Sequence, residues 1–193
     1  MARRPGPSLD RQQVIDAAVA LVDAEGAEAL GVTRLAEVLG IRPPSLYHHV
    51  GKGDALARAL VHEAARSQLH ALTAAVAGVD APEDALRALA HGARAWARRH
   101  PGLQAHLART PPDNDHPDFR PVLDALLALF GRPLAAWGLE GEHAVHTARA
   151  VRAAVHGFVL LEQAGQFALA VDPEASFAWM VDGLVRGLRP AAG

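Results

Sequence analysis

Residues 31–60 decide the fold: GVTRLAEVLGIRPPSLYHHVGKGDALARAL. Leu35, Ala36 and Leu39 recur at helical spacing, the mark of a short amphipathic helix with one buried face. Gly40 follows as its C-terminal cap, and Ile41 sets an apolar side chain inside the turn. Pro43 and Pro44 would break a helix interior. At the first two helical positions, however, their missing N–H groups would have had no partner, and their fixed φ is already helical. A second helix therefore begins at Pro43, with Leu46 and Val50 turned inward at i, i+4. Two short helices about a glycine turn, the second carrying polar and aromatic side chains, read as a helix-turn-helix.

Upstream, Ser8 is a good N-cap and Asp10 favours a first turn, so a helix is expected from there to about Ala24. Its stripe is Ile15, Ala18, Val19 and Val22, with Val14 and Leu21 beside it, and Gly26 ends it. Residues 1–7 form a polar arm carrying Arg3 and Arg4. Gly31 stands as the cap of the next helix. Downstream of Val50, Asp54 is placed at the third position of a long helix reaching about Val76, with Leu56, Leu60, Ala64 and Leu69 inward. The Gly78 to Pro82 break precedes further helices at about 82–99, 103–108, 118–130 (resuming after Pro133), 142–164 and 172–188. The expected fold is all-α, about nine helices, with no strand alternation and no internal repeat.

Composition agrees. Half of the 193 residues are hydrophobic but only 5% are aromatic, so the core must be built from Ala, Leu and Val. Without cysteine there is no disulfide and no thiolate chemistry, which suits a reducing compartment. The N-terminus has no apolar run behind its charged start, and no stretch is long enough to span a bilayer. A cytoplasmic protein without a membrane partner is expected. Net charge is −2, and residues 1–60 hold seven basic side chains against seven acidic ones, so any nucleic-acid contact must rest on placement.

No Gly-rich phosphate loop, nucleophile elbow or carboxylate pair at a defined spacing is visible, so an enzyme is not expected. His143 and His146 lie one helical turn apart but lack the zincin order and a third ligand. No metal and no cofactor is assigned. The rival reading is a helical small-molecule-binding or -transforming protein without a DNA role. Such a protein has no reason to hold Tyr47, Lys52 and the Pro43-Pro44 start together.

Leu46, Tyr47 and His49 ahead of Gly51-Lys52 and Ala55-Leu56 resemble the helix-turn-helix signature of the tetracycline-repressor (TetR) family of transcription regulators. The second half is similar to one ligand-domain type of that family, through His100-Pro101-Gly102, His156-Gly157-Phe158, Leu161-Glu162, Gly165, Phe167 and Phe177. Two departures stand out: Gly31 replaces the usual hydroxyl cap, and Val155 replaces a tryptophan. The resemblance implies a DNA-binding domain at 1–52 and a ligand-binding and dimerisation domain at 53–193. It implies a repressor that binds a pseudo-palindromic double-stranded operator as a homodimer and is released by a small-molecule effector. DNA contacts are expected from Thr33, Arg34, Arg42, Pro43, Pro44, Ser45, Tyr47, His48, His49 and Lys52. An effector pocket is expected around Trp96, Leu103, Leu107, Phe130, His146 and Arg149. A dimer interface is expected where Phe177, Met180, Val181, Leu184, Val185 and Leu188 form one apolar stripe facing Val151, Val155, Phe158 and Val159.

Overall fold

The computed structural model describes residues 9–52 and 54–188. Among them are nine α-helices and no strand: α1 Arg11–Glu25, α2 Val32–Leu39, α3 Pro43–Val50, α4 Ala55–Ala75, α5 Pro82–Arg99, α6 Pro101–Arg109, α7 Arg120–Ala135, α8 Gly141–Gln163 and α9 Pro173–Leu188. A 3-10 turn, Ala27–Ala29, follows α1. The residues form two compact units. One holds the chain up to Ala65 together with His100–Asp115, and the other holds Arg66–Arg99 and the chain from His116 onward. The division falls inside α4, between α5 and α6, and again between α6 and α7.

In the first unit α1 packs against α2, α3 and α6. Val14, Ala18 and Val22 are wholly buried, with Ile15 and Leu21 nearly so, which is the stripe the periodicity marks. The start of α1 differs from expectation. Ser8 lies outside the described residues, and the cap is Asp10, whose carboxylate accepts from the Gln13 N–H at 2.8 Å while the Gln13 side chain accepts from the Asp10 N–H at 2.9 Å. This reciprocal capping box satisfies two otherwise unpartnered donors at once. Asp54 likewise precedes its helix instead of lying within it: α4 starts at Ala55, and the Asp54 carbonyl accepts from the Arg58 N–H.

Helix α6 starts two residues before its expected position, at Pro101. The reason is a side chain from α1. Asp23 accepts from the N–H groups of Gly102 and Leu103 at 3.0 and 3.1 Å and lies 2.8 Å from His100 Nδ1, so it supplies the cap that α6 lacks locally. Gly102 sits against the Val22 carbonyl, where no side chain fits. His106 then anchors the helix on α4, its Nε2 lying 2.9 Å from the Ala57 carbonyl oxygen.

In the second unit α5 packs against α7, α8 and α9, and α8 against α7 and α9. Leu86, Leu89, Ala90, Trp96 and Ala97 form the buried face of α5. Val151, Val155 and Val159 face inward from α8, and Phe177, Val181 and Val185 from α9. Helix α7 begins at Arg120 and continues through a buried Pro133 without restarting. One charged residue lies in this core. Arg94 is paired bidentately with Glu162, its guanidinium 4.6 Å from the Phe177 ring centre and 5.4 Å from that of Phe158. No helix among the described residues is long and apolar enough to cross a membrane.

Candidate nucleic-acid interface

The site is built from the turn between α2 and α3. Gly40 adopts φ 63°, a left-handed conformation open to glycine at no steric cost. That geometry sends the Gly40 N–H to the Glu37 carbonyl and the Ile41 N–H to the Ala36 carbonyl, at 3.1 and 3.0 Å. These two bonds are the Schellman pattern and close the end of α2. Arg42 then stands as the N-cap of α3 with extended backbone and no capping side-chain bond, and Pro43 and Pro44 occupy the first two helical positions. Leu35, Ala36, Leu46 and Val50 are buried and hold the two helices together.

What this leaves outside is a single run of side chains. Arg42, Pro44, Ser45, Tyr47 and His48 are exposed, and Pro43 and His49 are half-buried. Gly51, at φ 80°, turns the chain out of α3 and places the exposed Lys52 before α4. The side chains of Arg42 and Lys52 make no hydrogen bond or ion pair with another described residue, so both cations are available to an external anion or base. The Thr33 hydroxyl is exposed at the start of α2.

Arg34 is placed differently. Its Nε and Nη2 donate to both oxygens of Glu25 at 3.1 and 2.6 Å, and its Nη1 donates to Glu37 at 3.2 Å. The hydrogen bonds from Arg34 hold the Glu25 carboxyl below its ordinary range, and those to Glu25 and then Glu37 raise the guanidinium further above its own. This side chain is already engaged within the head, unlike Arg42 and Lys52. Charge alone in the sequence does not separate the three cations; the Glu25 partner, nine residues away, does.

The expected pocket residues do not come together in one unit. Leu103, buried, and Leu107, half-buried, belong to α6 and the first unit. Trp96, Phe130, His146 and Arg149 belong to the second. There Trp96 is buried with its indole N–H donating to Ser67 at 3.0 Å, Phe130 is half-buried, and His146 and Arg149 are exposed. The dimer stripe also divides. Val151, Val155, Val159, Phe177, Val181 and Val185 are spent on the interior of their own unit, because α8 and α9 pack on α5 and on each other. Phe158 is half-buried against Phe167 and Phe177. Met180, Leu184 and Leu188, like Phe158, retain partial exposure. The sequence reading of the dimer surface included neither Trp179, which is 76% exposed, nor Leu160 and Leu161, which face solvent on α8.

Residues 86–184 match the model of the tetracyclin repressor-like C-terminal domain. The chain is 33% identical over 180 residues to an uncharacterized HTH-type transcriptional regulator, Rv0681, of Mycobacterium tuberculosis, covering 93% of this chain and 82% of that one. It is 36% identical over 110 residues to the class D tetracycline repressor protein of Escherichia coli, which covers 56% of this chain and 49% of the repressor. Among solved structures it is similar to TetR from Acinetobacter baumannii, with TM-score 0.72 and 26% identity over 94% of this chain and 99% of that one. A variant of that protein in complex with minocycline gives TM-score 0.75 and 27% identity over 95% and 100%.

Proposed function

The chain belongs to the tetracycline-repressor-like (TetR) family of transcription regulators, and from that membership we propose that it is a ligand-responsive repressor, acting in the cytoplasm as a homodimer on a pseudo-palindromic operator. The observation that carries this reading is the solvent-facing row Arg42, Ser45, Tyr47 and His48 on a helix whose start is fixed by Pro43-Pro44, with two cations at its ends that have no partner among the described residues. DNA is read by residues 1–52, with α3 in the major groove and half-sites about one helical turn, ~34 Å, apart. Residues 53–193 carry the effector site and the dimer surface. Thr33 and Lys52 meet phosphate, the latter as a point charge without sequence information. Arg34 reaches a phosphate only after leaving Glu25 and Glu37. The effector site lies within the second unit around Trp96 and Phe130, and the minocycline complex of a structural relative supports such a ligand role. Effector and operator oppose one another reciprocally, by about 1–3 kcal/mol in systems of this kind.

Arg42 stands where a short hydroxyl side chain would cap α3. A guanidinium has no acceptor to offer the helix amides, so its partner is external. Guanine O6 and N7 accept a bidentate Arg pair worth about 1–3 kcal/mol of discrimination. Arg42→Ala is therefore expected to relax preference at one base pair per half-site. Lys52→Ala should weaken all sequences alike and lower the salt slope by about one unit for each phosphate that the variant leaves unneutralised. Selection of bound sites from random DNA, repeated on both variants, checks this. An Arg42→Ala preference unchanged in sequence but shallower in salt would assign Arg42 to phosphate.

The homodimer is placed on the outer sides of α8 and α9. Gly157, Gly183 and Gly187 have open space where a Cβ would stand, so a second helix can approach closely there. Trp179, Leu160 and Leu161 supply exposed apolar area beside them, with Met180, Leu184 and Leu188 at the margin. Trp179→Glu combined with Leu161→Glu should give a folded monomer in the ultracentrifuge that has lost operator affinity. Val181→Glu should instead unfold the chain, since Val181 is core. A dimer that survives the double charge would move the interface elsewhere.

A further inference from the structure

We infer that α5 and the first turn of α9 form a site for a small carboxylate, which Glu174 fills from within the chain. Arg94 offers five N–H donors and accepts nothing. Glu162 takes one edge of its guanidinium, through Nε at 3.0 Å and Nη2 at 2.6 Å. Of the three N–H groups that remain, one on Nη1 donates to Glu174 Oε2 at 2.7 Å. The same oxygen lies 3.8 Å from Arg98 Nη1, and the other carboxylate oxygen lies 3.9 Å from His91 Nδ1. His91, Arg94 and Arg98 follow one another at i, i+3 and i+7 on α5, so three nitrogen-bearing side chains of one helix face converge on one carboxylate. They surround a depression of about 190 Å³ with Ala95 as its apolar wall.

The two glutamates are not equivalent. Glu162 is only 17% exposed and takes one edge of the buried guanidinium with two bonds, so it is the fixed counter-ion. Glu174 is 56% exposed and has one close partner, with Arg98 and the His91 ring beyond hydrogen-bonding distance. A carboxylate not tethered to α9 can settle nearer to all three nitrogens. Two guanidiniums here face two carboxylates, so withdrawal of Glu174 leaves a positive charge unmatched in a partly desolvated hollow, and an incoming carboxylate restores the balance. The buried Arg94 fixes the geometry in advance, since Glu162 and the rings of Phe158 and Phe177 hold its plane. The inference does not depend on the DNA-binding reading, and none of its readouts involves DNA.

The test uses the full chain with acetate, acetamide and inorganic phosphate as probes at constant ionic strength. Binding is followed by calorimetry and by the Arg94 Nε–H resonance. Glu174→Ala is expected to bind acetate saturably and roughly tenfold more tightly than the unaltered chain, the equivalent of removing one competing charge-assisted hydrogen bond. The Arg94 Nε–H resonance should move along the same isotherm. Adding Arg98→Gln should weaken acetate by roughly threefold, as loss of one exposed ion pair does, and acetamide should not bind. Should Glu174→Ala fail to fold, Glu174→Gln removes the competing charge at constant size and gives the same comparison. A response without saturation, one matched by chloride, or an Arg94 resonance that stays still would overturn the site. Phosphate binding more tightly than acetate would overturn its assignment to carboxylates.

Discussion

Gly102→Ala is expected to destabilise the first unit by about 3 kcal/mol or more, a cost at the upper end of overpacking because the obstruction is backbone and cannot rotate away. The new methyl would overlap the Val22 carbonyl oxygen and carbon and stand 2.7 Å from the Asp23 nitrogen. Gly102 has no left-handed φ, so the penalty is one of space and not of backbone conformation. Relief requires α6 to move away from α1, and that breaks the two N–H bonds to Asp23 which cap α6. Asp23→Ala removes the cap without the collision and should cost only about 1–2 kcal/mol. Gly131→Ala on α7, where a Cβ meets nothing within 4 Å and which lies outside the proposed dimer surface, is the control without a collision. Urea denaturation of the three variants checks the order. Near-equal midpoints for Gly102→Ala and Gly131→Ala would show that α6 can shift at little cost.

Local rules made the DNA-reading head legible. The left-handed Gly40, the double proline at a helix start and the spacing of Leu35, Ala36, Leu46 and Val50 each act within a few residues, and each stands in the structure as the sequence implies. The α1 cap was equally local: Asp10 with Gln13 three residues on is a capping-box spacing, overshadowed by Ser8. What did not follow from sequence depends on partners distant in the chain. A stripe such as Phe177, Val181 and Val185 says that one face of α9 is buried, but not whether its own α5 and α8 or a second chain does the burying. Trp96 and Leu103 are seven residues apart yet fall in different units, because Asp23 and Val22 draw the chain at Gly102 onto α1. The buried ion pair did leave a trace. Arg94 stands four residues after Ala90 and eight after Leu86 on the apolar side of α5, and Glu162 stands three after Val159 on that of α8. Opposite charges interrupting two apolar stripes are a signal for a buried pair, since neither ion is buried alone.

Arg94→Met is the second large effect, expected to cost about 3 kcal/mol at neutral pH. Breaking a buried pair by removing one partner costs about 3–5 kcal/mol, and the lower end applies because Glu162 keeps some access to solvent. The pH dependence identifies the cause. In the unaltered chain the hydrogen bonds from Arg94 hold the Glu162 carboxyl below its ordinary range, against the upward pull of burial. A carboxyl lowered on folding contributes stability that is present above its unfolded value and lost as pH falls through the folded one. Without Arg94 burial is the larger of the two remaining influences, opposed by the Arg98 charge, and it places the folded value above the unfolded one and reverses the sign. The variant then gains relative stability on acidification while the unaltered chain loses it. The gap between them, measured by urea denaturation, should narrow steadily from pH 7 to the acid side of the carboxylate range. Arg94→Met with Glu162→Gln removes both charges and should recover part of the loss at pH 7, because the uncompensated buried carboxylate is gone. A gap independent of pH, with no recovery in the double variant, would assign the loss to packing of the guanidinium against Phe158 and Phe177 instead of to the charge pair.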